Sequence, residues 1–220
     1  MTSPSVSPFV DETPGEAPVR GTLHRADSSG DFLVLTHGAS GNSNAALLIA
    51  VAEEFVAAGI NVLRCDLPYR QRRPHGPPSP ASAKEDQEGL RRAVTLMKDQ
   101  FTGRAFLGGS SYGGRQATLL LASNPGLVEG LLLLSYPLHP PGKLSQLRTA
   151  HFPQLRTPSL FVSGTKDSFG TIEELQSAIK LIPARTELIP IEGGAHGLSK
   201  PGTTKVVAGV VGRRFVEFFS

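Results

Sequence analysis

A serine flanked by glycines lies in the segment Gly109-Ser110-Ser111-Tyr112-Gly113, which fits the pattern G-x-S-x-G. The pattern follows an apolar run at Ala105–Gly108 and precedes a helix predicted over Tyr112–Ser123. A sharp strand-to-helix turn exposes the central serine, and small neighbours let the strained backbone pass close to the adjacent elements. The N–H groups at the start of the helix then face a developing oxyanion. The pattern predicts Ser111 as the nucleophile of acyl transfer, against the alternative of a plain glycine-rich turn.

A histidine after the last predicted strand is the candidate base. A serine hydroxyl needs a base to take its proton and a third group to orient that base. On a turn of this kind, the acid and then the histidine follow the serine along the chain. Of the later histidines, His139, His151 and His196, only His196 follows the last strand, within the glycine-rich Glu192–Gly197. We therefore predict His196 as the base; the alternative is a solvated loop histidine.

The third member must be an acid between the serine and the histidine. Six acidic residues lie there: Glu129, Asp167, Glu173, Glu174, Glu187 and Glu192. Asp167 directly follows the predicted strand Ser159–Ser163. Glu173 and Glu174 fall in the first turn of a helix, where the helix dipole accounts for them, and Glu129 precedes a strand. Asp167 is therefore the predicted acid, against the alternative of a turn residue or helix N-cap.

Alternating strands and helices must position these residues. Strands are predicted at Val19–His24, Phe32–Thr36, Ile60–Cys65, Ala105–Gly108, Gly130–Ser135, Ser159–Ser163 and Thr186–Ile191. Helices are predicted from a cap at Asn42 or Ser43 to Gly59, and at Lys84–Gln100, Tyr112–Ser123, Thr171–Ile182 and Thr203–Phe219. The alternation predicts an α/β fold with a doubly wound, mostly parallel sheet. Ligands of such sheets bind beyond the carboxyl ends of the strands.

Composition limits the class of protein. Residues 1–18 are rich in Pro, Ser and Glu without a period and are predicted as a flexible tail, which leaves 19–220 as a single domain. No apolar run approaches the roughly 20 residues that cross a bilayer, and the first residues lack the pattern of a secretion signal. One cysteine, Cys65, excludes an internal disulfide framework and a cysteine-rich zinc site. We expect a cytoplasmic protein that needs no metal or other cofactor and does not bind membranes.

Arginines and prolines crowd the predicted loop Asp66–Ala83, which includes Arg70, Arg72 and Arg73. The loop leaves the carboxyl end of a strand, so its arginines could form a cationic rim that favours substrates with a carboxylate or phosphate. The alternative is a solvated loop whose arginines bind carbonyl groups or nearby acids. The net charge of +3 and the lack of a basic helix face with interleaved aromatics argue against nucleic-acid binding.

From His37 to its C-terminus, the chain resembles the α/β-hydrolase superfamily. The segment Thr36-His37-Gly38-Ala39 looks like the oxyanion loop of that superfamily. The resemblance implies that the backbone N–H groups of Ala39 and Tyr112 form the oxyanion hole. It also implies that His37 is a structural hydrogen-bonding residue rather than a second base, and we keep His37 as a candidate substrate contact as well.

Three segments resemble the small dienelactone-hydrolase-like proteins related to the testis-expressed and NSL-complex-subunit hydrolase-like group. These are Ser135–Lys143, Leu147–Thr149 and Gly164–Gly170. Two positions depart from the resemblance. Dienelactone hydrolases proper use a cysteine nucleophile where this chain has Ser111, and Ala195 stands where the subgroup often has an acidic residue.

The connection after the strand Gly130–Ser135 bears on substrate access. Only 23 residues, 136–158, separate it from the next strand, too few for an independent lid domain. We expect an open site with a short wall at His139–Lys143, in which His139 is a candidate substrate contact. The sequence thus predicts a serine hydrolase of ester or thioester bonds in small substrates. The alternative is a hydrolase-fold interaction module with weak or no catalysis.

Overall fold

The computed structural model describes residues 5–27, 30–200 and 202–220. Its strands are β1 (Ser5–Asp11), β2 (Val19–Arg25), β3 (Phe32–Thr36), β4 (Asn61–Asp66), β5 (Ala105–Ser110), β6 (Gly130–Leu134), β7 (Ser159–Gly164) and β8 (Thr186–Ile191). Its helices are α1 (Ala46–Ala57), α2 (Pro68–Arg72), α3 (Ala83–Gln100), α4 (Tyr112–Ser123), α5 (Ile172–Ile179) and α6 (Thr204–Phe219). Within the described ranges, no helix is long and apolar enough to cross a membrane.

The strands form one sheet in the order β1-β2-β4-β3-β5-β6-β7-β8. β2 is antiparallel to β1 and β4, and the six strands β3 to β8 all run parallel to one another. Thr36 at the end of β3 pairs with Gly109 of β5, so the loop after β3 emerges beside the β5–α4 turn. Gly164 at the end of β7 pairs with Ile191 at the end of β8. The register therefore brings the loops of the predicted site to one edge of the sheet.

Helices cover both faces of the sheet. α3, α4 and α5 bury residues such as Leu121 against one face. α1 and α6 cover the other face, where the rings of Phe55 and Phe215 lie 4.7 Å apart between centroids. Neighbouring strand residues alternate between the two cores, as Val34 and Leu35 do, because side chains of a strand point to opposite faces. The prediction of a doubly wound, mostly parallel sheet is confirmed.

The N-terminal segment differs from its prediction. Ser5–Asp11 forms β1 at the sheet edge, so the flexible-tail prediction is wrong for these residues, and β2 is not the edge strand; residues 1–4 lie outside the described residues. Phe9 packs against the core, whereas Val6 and Val10 on the other face are exposed. A single inward apolar residue among serines and a proline gives too weak an alternation to predict a strand.

Two connections near the site also differ from their predictions. α1 begins at Ala46 without a side-chain cap, although Asn42 or Ser43 was the predicted cap. The Ser43 N–H instead donates to Asp66 Oδ1 at 2.6 Å, which ties the segment before α1 to the end of β4. The predicted loop after β4 contains α2 and a 3-10 turn at Pro80–Ser82. Local helix formation there makes the segment a rigid part of the site.

Two histidines, the buried His24 and the half-buried His151, link the stability of this fold to pH. His24 Nε2 accepts a hydrogen bond from Arg64 Nε at 2.9 Å, and His151 Nε2 lies 2.8 Å from Thr118 Oγ1. Burial first and a neighbouring arginine second lower the pKa of each histidine to about 4. Because the unfolded histidines titrate near 6.5, the unfolded state binds protons between pH 6.5 and 4 that the folded state does not. Their contribution is therefore fully present above pH 6.5 and is lost as the pH falls towards 4.

We expect the free energy of unfolding to fall on the order of 1 kcal/mol per pH unit for each histidine between pH 6 and pH 4.5. Urea denaturation across this range measures the slope. His24→Gln/His151→Gln should flatten the slope, whereas His75→Gln, at an exposed position, should leave it unchanged. An unaltered slope in the double variant would contradict the assignment of the pH dependence to these two residues.

Candidate active site

The β5–α4 turn places Ser111 in a strained conformation. Its φ is 48° and its ψ is −113°, a combination that a residue other than glycine rarely adopts. The Ser111 N–H donates to the carbonyl of Leu134 at 2.8 Å, which fixes the turn against β6. A Cβ at Gly109 would lie 2.5 Å from the backbone N of Gly114. The turn therefore requires glycine at that position, as the G-x-S-x-G pattern predicts.

The loop after β8 brings His196 to this serine. His196 Nε2 lies 2.7 Å from Ser111 Oγ. The loop is held against β7, since the Lys166 N–H donates to the carbonyl of Gly194 at 2.8 Å. A Cβ at Gly164 would lie 2.1 Å from that same carbonyl oxygen, so the close approach of the two loops depends on this glycine. The imidazole is thus positioned by backbone contacts between the ends of β7 and β8.

Asp167 lies on the other side of the imidazole. Both of its carboxylate oxygens are 2.9 Å from His196 Nδ1, and Oδ1 also accepts the Phe169 N–H at 2.8 Å. Its side chain is 1% exposed, whereas that of His196 is 25% exposed. A buried carboxylate at Nδ1 places the imidazole proton on that nitrogen and leaves Nε2 to accept the serine proton. The structure therefore brings together the three residues that the sequence predicted for catalysis.

An aromatic ring missed at the sequence level completes the orientation of the imidazole. The ring of Phe169 stacks on that of His196, with centroids 4.0 Å apart and planes 26° apart. Phe169 thus contacts both members of the pair, because its ring stacks on His196 and its backbone N–H donates to Asp167. Its position two residues after Asp167 was the available signal.

The predicted oxyanion donors, Ala39 and Tyr112, lie beside Ser111 and line the same cleft. The backbone of Gly38 packs on the serine, since a Cβ at Gly38 would lie 3.4 Å from Ser111 Cβ. Within the described residues, neither the Ala39 nor the Tyr112 N–H donates a hydrogen bond. Two free N–H groups next to a nucleophile can bind an oxyanion.

His37 holds the loop after β3 through hydrogen bonds of its side chain, in agreement with the structural role that the sequence predicted; the residue also lines the cleft, and a contact with substrate stays a prediction. Its side chain is fully buried. Nε2 accepts the Leu67 N–H at 3.1 Å, and Nδ1 therefore carries the proton that it donates to the carbonyl of Gly38 at 2.8 Å. Burial is the main cause that lowers the pKa of His37, which favours this neutral tautomer.

Arg70 is also a structural residue, and its prediction as a substrate contact is wrong. It is 5% exposed. Its Nε donates to the carbonyl of Gly41 at 2.8 Å, and its Nη2 donates to those of Ala39 at 2.9 Å and Gly76 at 3.0 Å. The guanidinium thus joins the oxyanion loop to the proline-rich segment that follows α2. The alternative that loop arginines bind carbonyl groups holds for this residue.

A buried network under the oxyanion loop went unpredicted. Asp86 of α3 is fully buried and accepts the Tyr69 N–H at 3.0 Å and the Tyr112 hydroxyl at 2.7 Å. The Tyr69 hydroxyl in turn donates to the carbonyl of Ala39 at 2.9 Å. Burial is the main cause that raises the pKa of Asp86. No sequence signal pointed to Asp86, because its partners come from α2 and the β5–α4 turn.

The remaining two candidate contacts lie away from the cleft, so both predictions are wrong. Arg72 forms an exposed ion pair with Glu85. His139 is 2% exposed; its Nδ1 lies 2.9 Å from the carbonyl oxygen of Pro140 and its Nε2 lies 3.3 Å from Glu174 Oε2. Arg72 satisfies its charge with a nearby acid, and His139 braces the β6–β7 connection against α5.

The cleft beside Ser111 has a volume of about 970 Å³. The segment Gly76–Pro80 and the residues Leu47 and Leu48 supply part of its wall. The β6–β7 connection contributes Pro137 and Arg148 to the lining, so the predicted wall at His139–Lys143 is wrong. In this connection His139 contacts Glu174 of α5 instead of the cleft. The lining is mostly apolar, with a small number of polar groups near the serine.

A family model for the alpha/beta hydrolase domain matches residues 29–208, and the chain therefore belongs to the α/β-hydrolase family. Three solved structures share the fold, and the first is a dienelactone hydrolase from Anabaena variabilis ATCC 29413, with a TM-score of 0.79, 18% identity and coverage of 98% of this chain and 99% of that one. An alpha-beta serine hydrolase homologue from Coxiella burnetii has a TM-score of 0.76 and 16% identity, with 97% of this chain and 98% of that one covered. The esterase domain of a Rhodothermus marinus protein has a TM-score of 0.74 and 15% identity, with 98% of this chain and 100% of that one covered. The resemblance to dienelactone-hydrolase-like α/β hydrolases is confirmed as one of family and fold.

The structural role of Arg70 predicts a large loss of stability on its replacement. Arg70→Met should lower the free energy of unfolding by about 2–4 kcal/mol, because several buried carbonyl groups lose their donor. Arg72→Met removes an exposed ion pair and should change it by less than about 0.5 kcal/mol. Urea denaturation of the two variants measures the difference. Equal effects would show that Arg70 does not anchor the loop.

Proposed function

We propose that this hydrolase cleaves carboxylic ester or thioester bonds of small substrates through an acyl-enzyme on Ser111. The observation that carries the proposal is the continuous series of hydrogen bonds from Ser111 Oγ through the His196 imidazole to Asp167, at 2.7 and 2.9 Å. Such a series is the arrangement that turns a serine hydroxyl into a nucleophile at neutral pH. The likeness in fold to a dienelactone hydrolase and an esterase domain supports the choice of an ester or a closely related acyl bond as the target.

The proposed reaction begins with attack of Ser111 Oγ on the carbonyl carbon while His196 Nε2 takes the hydroxyl proton. The negative charge then moves to the carbonyl oxygen, where the N–H groups of Ala39 and Tyr112 stabilise it. His196 gives the proton to the leaving alcohol or thiol, and the acyl group stays on the serine. Water attacks this ester with the same histidine as base, which releases the acid and restores the hydroxyl. Asp167 stabilises the imidazolium at both steps.

A noncatalytic interaction module would be expected to lose this alignment, because binding a partner does not need a serine within hydrogen-bond distance of a histidine. The strained φ of Ser111 also favours catalysis. Strain of this kind costs on the order of 1–3 kcal/mol and is retained where it serves the site.

The proposal predicts that a fluorophosphonate probe labels the folded protein on Ser111. Ser111→Ala should abolish both labelling and hydrolysis of short nitrophenyl esters, because no other group supplies the nucleophile. Peptide mapping by mass spectrometry locates the adduct, and Ser110→Ala is the matched control that should retain labelling.

Asp167→Asn should lower kcat for the same esters on the order of 10³–10⁴-fold with little change in KM, since the amide favours the wrong imidazole tautomer. Turnover that survives in Ser111→Ala would overturn the proposed nucleophile. Absence of labelling in folded wild-type protein would favour the interaction module.

A further inference from the structure

Two arginines line the cleft beside the nucleophile and play no part in the mechanism above. Arg115 lies on α4 and Arg148 on the β6–β7 connection. In the part of the chain that the structure describes, no aspartate or glutamate lines this cleft. The substrate-binding wall is therefore apolar and carries two positive charges without an acid among its lining residues.

The position of Arg115 relates it to the reacting centre. It follows Ser111 by four residues, one helical turn, and its N–H donates to the Ser111 carbonyl at 3.0 Å. Both residues line the same cleft, so a ligand that reaches Ser111 also meets the wall that contains Arg115. Among the described residues, Arg115 Nε is buried without a hydrogen-bond partner. A buried cationic donor without a partner is costly and favours an anionic ligand.

Arg148 is held at its backbone, while its guanidinium makes few contacts. Its N–H donates to the carbonyl of Leu138 at 2.8 Å, and its own carbonyl accepts the Tyr136 hydroxyl at 2.6 Å. From the guanidinium, Nη1 donates to the carbonyl of Pro137 at 3.3 Å. Burial first, then the charge of Arg115, lower the pKa of Arg148. Both arginines line one cleft, and in the described part of the chain neither forms an ion pair with an acid.

The other arginines around the site differ from this pair. Arg70 donates to four backbone carbonyls, and Arg72 pairs with Glu85. Arg64 donates to His24, to the carbonyl of Ser43 and to the Asn44 side chain. Two half-buried arginines that line one cleft without an acid beside them are suited to an anion, because guanidinium groups match the oxygens of a carboxylate or phosphate.

We infer that Arg115 and Arg148 form an anion subsite that selects esters bearing a carboxylate or phosphate a short chain away from the scissile carbonyl. The inference rests on the proposed function for its role in turnover, although the binding of an anion does not require it. The cationic rim expected at Arg70 and Arg72 is thereby replaced by a cationic pair inside the cleft. The positive charge of this pair then sets the preference for anionic substrates. The apolar wall accommodates the part of the substrate between its ester group and its anionic group.

Matched esters test the subsite in turnover. The probes are the p-nitrophenyl monoester of adipic acid and its neutral methyl ester, which differ in charge at the far end. Arg115→Gln and Arg148→Gln should each lower kcat/KM for the anionic ester about 10–100-fold, as expected for one charge-assisted hydrogen bond, and change the neutral ester less than about 3-fold. Arg148→Lys should recover part of the loss, and Arg72→Gln should behave as wild type. Equal losses on both esters, or none, would overturn the inference.

Equilibrium binding separates the subsite from the proposed chemistry. Calorimetry on Ser111→Ala should detect monoethyl adipate or n-butyl phosphate, and the ligand that binds identifies carboxylate or phosphate as the recognised group. Arg148→Gln in the same background should weaken that binding about 10-fold or more. If no ester is turned over yet this binding is found, the proposed function fails and the subsite stands. If esters are hydrolysed and neither anion binds, the subsite fails and the proposed function stands.

Discussion

The buried guanidinium of Arg70 is the interaction on which the rest of the site depends. The loop after β3 has to lie flat against the strained turn at Ser111, which turns its carbonyl groups away from the nucleophile and into the protein. Those carbonyls need donors: Arg70 and Tyr69 supply them from the segment after β4, and His37 supplies one from within the loop. An arginine suits this position because one planar group reaches several carbonyls in different directions. With the carbonyls satisfied on one side, the Ala39 N–H remains free on the other.

The same physical rule separates the two sets of arginines. A buried cation is tolerated when fixed dipoles or an acid satisfy it, and Arg70 meets that condition with backbone carbonyls alone. Within the described residues, Arg115 does not meet it, since its buried Nε lacks a partner, and Arg148 meets it only in part, through the carbonyl of Pro137, in a cleft whose lining holds no carboxylate. Unpaired polar groups in a native protein concentrate where a ligand completes them. Arginine thus serves two purposes here. The hydrogen-bond donors of Arg70 are satisfied within the protein and anchor a loop, whereas the proposed subsite uses arginine donors that a ligand would satisfy.

The sequence predicted what local pattern determines. The G-x-S-x-G turn, the glycines around His196 and the position of Asp167 after a strand are short-range features, and the parallel sheet fixes where strand ends meet. The roles of Arg70, Asp86 and Arg148 depend on partners elsewhere in the chain. The sequence therefore showed that the loop after β4 is basic but did not show which carbonyl groups accept hydrogen bonds from its arginines. Arg115, one turn after Ser111, carried a local signal that an i, i+4 comparison would have found. Strand β1 was missed because a single inward Phe9 does not define a period.

In the proposed mechanism, an anchored loop and the start of α4 present two N–H groups to a tetrahedral centre on Ser111. A crystal structure of the protein after reaction with diethyl p-nitrophenyl phosphate tests this arrangement, because the phosphorylated serine mimics that centre. We expect a phosphoryl oxygen about 2.7–3.1 Å from both the Ala39 and the Tyr112 nitrogen, with the loop after β3 unmoved. A phosphoryl oxygen directed away from these two groups, or an adduct on another residue, would contradict it.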